Sequence, residues 1–209
     1  GIDVSFYQGD IDFSAVKESG FSFVIIKAGG TGFGVDSKFE QYYSDAQAAG
    51  LDIGCYYYTY SSTVDGIKSD AQELLEIIKG KTFNYPVFLD FEEEVFQSAD
   101  MIGTNTDIIN TFCTAIKRSG YYPGVYTSSS LYKNYIDSTT LGNSWDFWVA
   151  SYGDHTFESD EYKYDFSMWQ YSNAGIVNGI KADVDLNVVY VDYPSLILEF
   201  KDKILKYTS

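Results

Sequence analysis

Asn84-Tyr85-Pro86-Val87-Phe88-Leu89-Asp90-Phe91-Glu92-Glu93-Glu94 is an apolar run that delivers acids at its end. Tyr85 to Leu89 is too short and too aromatic for a helix and reads as a buried strand, with Pro86 tolerated near its start. Side chains alternate faces along a strand, so Asp90 and Glu92 are expected on one face, their Cβ atoms roughly 6.5 Å apart from a rise of about 3.3 Å per residue. Two carboxyls sharing one small space cannot both ionise freely, so one of them stays protonated near neutral pH. Glycoside hydrolysis needs such a pair. The same alternation points Glu93 away from Asp90, and Glu94, past the strand, reads as loop. Taken alone, a D-x-E is as readily a solvated acidic loop, and the rest of the chain has to separate the two readings.

Around this run, strand-like and helical stretches alternate. Ile2–Ser5 reads as a strand, Phe13–Ser19 as a short helix stopped by Gly20, and Phe23–Lys27 as a strand ending at Ala28-Gly29-Gly30. Ser37–Ala49 reads as a helix capped by Gly50, Ile53–Tyr58 as a strand and Val64–Ile78 as a helix. After the acidic run come a helix over Thr106–Ser119 and a strand over Pro123–Tyr126. Four or five such units predict an α/β fold with parallel strands, closed as a barrel or open as a sheet. Beyond Tyr126 the rhythm changes. The strand-like runs Phe147–Ala150, Phe166–Tyr171 and Val184–Tyr190 are separated by polar loops, Thr127-Ser128-Ser129-Ser130 reads as loop, and Ser130–Tyr135 makes at most a helical turn or two. Ser195–Lys206 reads as a closing helix. With 209 residues and no Pro/Gly/Ser-rich linker, residues 1–209 are expected to form one domain.

The net charge of −16, from 14 Lys and Arg against 30 Asp and Glu, argues against nucleic acid, because phosphate binding is carried by clustered basic side chains. No signal-peptide pattern opens the chain, and no apolar run approaches the ~20 residues that a membrane span requires. A soluble chain, mature or trimmed and without membrane insertion, is therefore expected. The 20 tyrosines suit stacking on sugar faces, though core and strand preference accounts for aromatics equally well. Cys55 and Cys113 read as buried free thiols. With no C-x-x-C or His/Cys cluster, and with His155 the only histidine, in the polar Gly153–Asp160 segment, neither a zinc site nor a Ser-His-Asp triad is expected. No metal and no cofactor is called for.

In a β/α barrel the active site lies at the C-terminal ends of the strands, so acids there are informative. Asp90 and Glu92 end one strand. Asp3 lies inside the first, between Ile2 and Val4, where an unpaired buried carboxylate would be costly. Asp183 and Asp185 stand two apart at the last strand, with Asp183 equally readable as an ordinary loop acid. A cluster of acids in the barrel mouth accounts for both Asp3 and Asp185.

Taken together, Gly1-Ile2-Asp3-Val4-Ser5-Phe6-Tyr7-Gln8-Gly9, Phe23-Val24-Ile25-Ile26-Lys27-Ala28, Gly54-Cys55-Tyr56-Tyr57-Tyr58, Pro86 to Glu92, Gly124-Val125-Tyr126-Thr127, Trp148-Val149-Ala150, Met168-Trp169-Gln170-Tyr171 and Val184-Asp185-Leu186-Asn187 resemble, in order, the glycoside hydrolase family 25 lysozymes. These are Chalaropsis-type N-acetylmuramidases. The resemblance implies an irregular, flattened TIM-like β/α barrel, with about five β-α units followed by antiparallel-like strands with few helices. It implies hydrolysis of the β-1,4 bond between N-acetylmuramic acid and N-acetylglucosamine in peptidoglycan. By position it makes Glu92 the general acid, Asp90 its partner carboxylate, Asp3 and Asp185 the acids of the first and last strands, and Tyr58, Tyr126, Trp148 and Trp169 the groove aromatics. It further implies attack by the substrate's own 2-acetamido group, with Asp90 orienting that amide. A monomer acting on glycan strands at the cell wall, secreted or phage-released, follows from it. Phe13 departs from the family, many of whose members carry Trp there.

Three rival readings compete. A glycan-binding protein that has lost catalysis sits poorly with intact Asp90 and Glu92. A phosphodiesterase would use the carboxylates to hold Mg²⁺ or Ca²⁺. A chitinase of the D-x-D-x-E kind would need an acid where Phe88 stands.

Overall fold

The computed structural model of the chain describes residues 1–153 and 166–208. Nine strands occur among them: β1 (Ile2–Val4), β2 (Phe23–Gly30), β3 (Gly34–Val35), β4 (Asp52–Tyr58), β5 (Val87–Asp90), β6 (Pro123–Ser128), β7 (Asp146–Ala150), β8 (Met168–Gly175) and β9 (Val184–Val189). The helices are α1 (Phe13–Glu18), α2 (Phe39–Ala48), α3 (Val64–Ile77), α4 (Ile102–Arg118), α5 (Ser129–Asn134), α6 (Ser138–Leu141) and α7 (Tyr193–Thr208), with short 3-10 turns at Phe6–Gln8, Glu94–Phe96 and Ala99–Met101. His155 and most of the Gly153–Asp160 segment lie outside the described residues.

The strands run in the order β1-β9-β8-β7-β6-β5-β4-β2, and β1 pairs back onto β2, so eight of them close a barrel and β3 hangs from β2 as a hairpin. Five β-α units lead into strands with few helices, as the sequence predicts. The pairing departs from the expected antiparallel ending. β7 is parallel to β6 and β8 is parallel to β7, and in the barrel only β9 runs against its neighbours.

Alternation along the strands divides the core in two. Val24, Ile26, Val87, Leu89, Val125, Phe147 and Val149 face outward into a large cluster under the helices. Phe23, Ile25, Phe88, Tyr126, Trp148 and Met168 face inward and fill the lumen. Complete burial of a side chain such as Phe88 contributes about 1.5–3 kcal/mol relative to leaving it exposed. The packed lumen is closed at the strands' N-terminal end by α7, whose Tyr193 ring lies 5.4 Å from Tyr85 and 6.1 Å from Tyr122, the residues leading into β5 and β6. Function is left to the opposite end.

Several element boundaries differ from those predicted. β2 continues through its glycines to pair with β3, after a register shift between Lys27 and Gly29 that inserts Ala28 as a bulge. α4 begins at Ile102 rather than Thr106, because Asn105 is buried and donates to Phe96 O at 2.9 Å and Tyr135 O at 3.0 Å, tertiary bonds that no helix-start pattern encodes. β6 runs to Ser128, whose side chain then caps α5 by accepting from Leu131 N at 3.2 Å, so the serine run is a strand end and a cap, not a loop. Cys55 and Cys113 are free and buried, and burial pushes both thiols up.

Candidate active site

A cavity of about 230 Å³ opens at the C-terminal ends of the strands. Parity explains most of its lining. On β5, Phe88 and Asp90 share the inward face, so Phe88 packs the lumen and Asp90, 4 % exposed, sits above it. The strand stops there. Asp90 O accepts from Thr59 N at 3.2 Å, while Phe91 N donates to Tyr126 O at 2.9 Å. Phe91 then stacks on Phe96 with ring centroids 3.7 Å apart, which pins the turn carrying Glu92. Glu92 lines the cavity with Asp90. Because the strand ends at Asp90, alternation does not govern Glu93. Instead of facing away, Glu93 accepts a hydrogen bond from the hydroxyl of Tyr58, a cavity residue.

Asp3 of β1 and Asp185 of β9 complete the acid cluster, directly opposite one another in the antiparallel pairing. Asp3 Oδ2 accepts from Asn187 Nδ2 at 2.7 Å and from Gln170 Nε2 at 2.9 Å. These amides are themselves held: Asn187 Oδ1 accepts from Trp148 Nε1 at 2.8 Å, and Gln170 Oε1 from the Tyr126 hydroxyl at 2.9 Å. Asp183, by contrast, precedes β9 and is exposed.

Burial raises all four acids, since a low-dielectric site disfavours the charged form. For Asp90 the next cause is the charge of Glu92, for Glu92 the charge of Glu93, and for Asp3 the charge of Asp185. Asp185 is raised by burial and drawn back by its hydrogen bond with Asp3. Lys27 opposes the rise at both Asp90 and Glu92, and the Tyr126 hydroxyl lowers Glu92 further. Asp90 Oδ1 is buried and has no hydrogen-bond partner among the described residues. The site thus combines a carboxyl biased toward its protonated form with a buried acceptor atom still unpaired.

Tyr58, Tyr126 and Trp148 line the cavity. Trp169 does not. It follows Met168 and precedes Gln170, both of which are buried in the barrel, and its Nε1 donates to Ser151 O at 2.9 Å while its ring packs 5.7 Å from Tyr171. The sequence reading missed Lys27, Tyr56 and Gln170 in the cavity wall, and Asn187 behind it. Lys27 carries a legible signal, since it continues the inward period of Phe23 and Ile25 and so puts a cation in the mouth. Its ammonium lies 4.9 Å from the Tyr58 ring centroid and 5.9 Å from that of Tyr56.

The autolytic lysozyme of Clostridium acetobutylicum is 34% identical over 187 residues, covering 90% of this chain and 54% of that protein. The bacterial lysozyme from Streptomyces coelicolor superposes with a TM-score of 0.76 at 27% identity, over 97% of this chain and 96% of that one. The modular autolysin LytC from Streptococcus pneumoniae, solved in complex with a synthetic peptidoglycan ligand, superposes with a TM-score of 0.77 at 25% identity, over 90% of this chain and 46% of that one. The chain therefore spans about half the length of the clostridial and pneumococcal proteins. The profile of Glycosyl hydrolases family 25 matches residues 2–180. With that match running through every strand of the acid cluster except the last, and the relatives covering nearly all of the chain, this protein belongs to glycosyl hydrolase family 25.

Proposed function

We propose that residues 1–209 act as one peptidoglycan hydrolase unit, a 1,4-β-N-acetylmuramidase that cuts between N-acetylmuramic acid and N-acetylglucosamine. The observation that carries the chemistry is the pairing of Glu92, raised by burial and by Glu93, with the buried Asp90 whose Oδ1 is unpaired. Glu92 donates its proton to the glycosidic oxygen as the bond to the anomeric carbon breaks, the role its raised pKa suits. The carbonyl oxygen of the substrate's 2-acetamido group forms the new bond to that carbon. Asp90 Oδ1 accepts the amide N–H, orienting the group and stabilising its developing positive charge. Water then attacks the anomeric carbon, gives its proton to the Glu92 carboxylate and releases the acetamide. Such assistance by the substrate is a recognised exception to the two-carboxylate scheme. Asp3 and Asp185 hold the charge balance of the mouth and present oxygens to sugar hydroxyls, with Tyr58, Tyr126 and Trp148 as the walls. Trp169 supports the rim through Ser151 rather than touching the sugar. The protein works as a monomer outside the cell, at the wall.

The test is mass spectrometry of fragments released from defined peptidoglycan after borohydride reduction. N-acetylmuramic acid at the new reducing end is expected, and none is released by Glu92→Gln with an unchanged circular dichroism spectrum. N-acetylglucosamine at that end, or wild-type release by Glu92→Gln, overturns the assignment.

A further inference from the structure

The cavity measures about 230 Å³, and a glycan strand longer than that space must continue over the rim. On the β2–β4 side that rim carries aromatic surface which the cavity does not use. Phe33 is 66 % exposed and Tyr60 45 % exposed. Their ring centroids are 5.7 Å apart, and Tyr60 lies 5.1 Å from Tyr58, a cavity residue. Three rings thus run continuously from the cavity wall into solvent.

The backbone under these rings is built to hold them. Phe33 N donates to Gly30 O at 3.0 Å, closing a four-residue turn. Gly32 and Gly34 flank Phe33 with φ of 78° and 69°, a region in which other residues are strained, so this turn presents Phe33 outward. Beneath it, Asp70 of α3, 4 % exposed, accepts from the hydroxyls of both Thr31 and Thr59 at 2.7 Å. Thr31 Oγ1 accepts in turn from Tyr60 N at 3.1 Å, and Thr31 N donates to Tyr58 O at 2.9 Å. One buried carboxylate therefore fixes both loops, and Lys27 stands 5.9 Å from the Phe33 ring centroid on the inner side.

Large apolar rings held rigidly in water, rather than packed, mark a binding surface. Charge selects the occupant. With Glu92 and Glu93 beside Tyr58 and a net charge of −16, carboxylate-bearing stem peptides are repelled. An uncharged pyranose offers a face of C–H bonds that suits the negative face of an aromatic ring. We propose that Phe33 and Tyr60 form a sugar-stacking subsite for the glycan strand, continuous through Tyr58 with the cavity. This rests on the glycan-cleaving reading and extends it to residues outside the acid cluster.

Titration calorimetry with the Glu92→Gln chain tests it, using N-acetylglucosamine dimer and hexamer as probes, which carry no peptide. The hexamer is expected to bind at least about tenfold more tightly than the dimer, and Phe33→Ala with Tyr60→Ala to bring that ratio down roughly tenfold, toward one. Phe33→Trp with Tyr60→Trp restores it. Both rings are solvent-exposed, so the alanine variant keeps its fold, which a thermal melt verifies. A ratio unchanged by the alanine substitutions overturns the subsite while leaving the glycan reading standing. Absence of binding by either oligomer before those substitutions overturns both.

Discussion

Asp3 of β1 faces Asp185 of β9 across the antiparallel pairing, and the oxygen of Asp3 that takes two amide hydrogens does so from Asn187 and Gln170, residues of the two strands beyond it. The inverted strand β9 thereby brings an acid and its amide support to the same point, and Asn187 joins that point to the lumen through Trp148. Acid cluster and barrel closure are one structure.

Asn187→Leu therefore removes a donor to Asp3 and the acceptor of Trp148 Nε1 at a site 3 % exposed. Leaving a buried polar group unsatisfied costs about 1–3 kcal/mol each. A loss of roughly 3 kcal/mol, or a melting temperature lower by about 10 °C, is expected in calorimetry. A change below about 2 °C would show that the network carries no stability.

Stability should fall as pH rises. Asp3, Asp90, Glu92 and Asp185 are all raised, so the folded protein holds their protons more tightly than the unfolded chain. Their contribution is present in full below the unfolded carboxyl value, about 4, and is lost as pH climbs through the folded values. Asp10, Asp137 and Asp192 shift the other way but are fully exposed, where solvent screens the effect, and the Gly1 amino group, lowered to about 5 by burial, is one group set against four. Melts across the pH range should show highest stability on the acid side. Asp90→Asn should flatten that slope and raise the melting temperature at pH 7 by about 2–4 °C, while cutting hydrolysis by roughly a hundredfold or more. A steeper slope in the variant contradicts this account.

Lys27→Met removes the cation that holds Glu92 and Asp90 down. Both carboxyls then rise further and, with Glu92 as the proposed acid, the alkaline limb of kcat/KM should move to higher pH. Profiles of the two proteins on one glycan substrate settle the direction, and a downward shift removes Lys27 from the electrostatic scheme.

The barrel was legible because hydrophobic period and turn residues are local properties, and the strand parity that placed Asp90 above Phe88 needed nothing else. Asp3 betrayed itself as a charge between Ile2 and Val4. Trp169 is not sorted the same way, because an aromatic in a strand reads alike whether it lines the cavity or stands beside it with its indole N–H on a backbone carbonyl such as Ser151 O. Nor is the parallel pairing of β7 with β8, since polarity of pairing is a tertiary property. Alternation does not reach Glu93, because the strand ends at Asp90. Asn187 and Gln170 stayed silent because a buried amide and a surface amide have the same sequence signature, and only their partners distinguish them.

Asn105 gives the last of these tests. It sits wholly buried on α4, and its amide donates to Phe96 O and Tyr135 O, tying the turn that follows Glu92 and Glu93 to the end of α5. Asn105→Ala frees both carbonyls and leaves the Phe91–Phe96 stack and the Tyr58–Glu93 hydrogen bond to hold that turn. Misplacing a catalytic group by about 1 Å can cost roughly a hundredfold in rate. A fall in kcat of at least about tenfold is therefore expected, with the alkaline limb displaced as Glu92 changes its distance from Glu93. A merely destabilised protein would lose activity in proportion to the unfolded fraction and keep its pH profile. Steady-state kinetics across pH, well below the melting temperature, separate the two, and an unshifted profile with full kcat makes Asn105 a structural residue only.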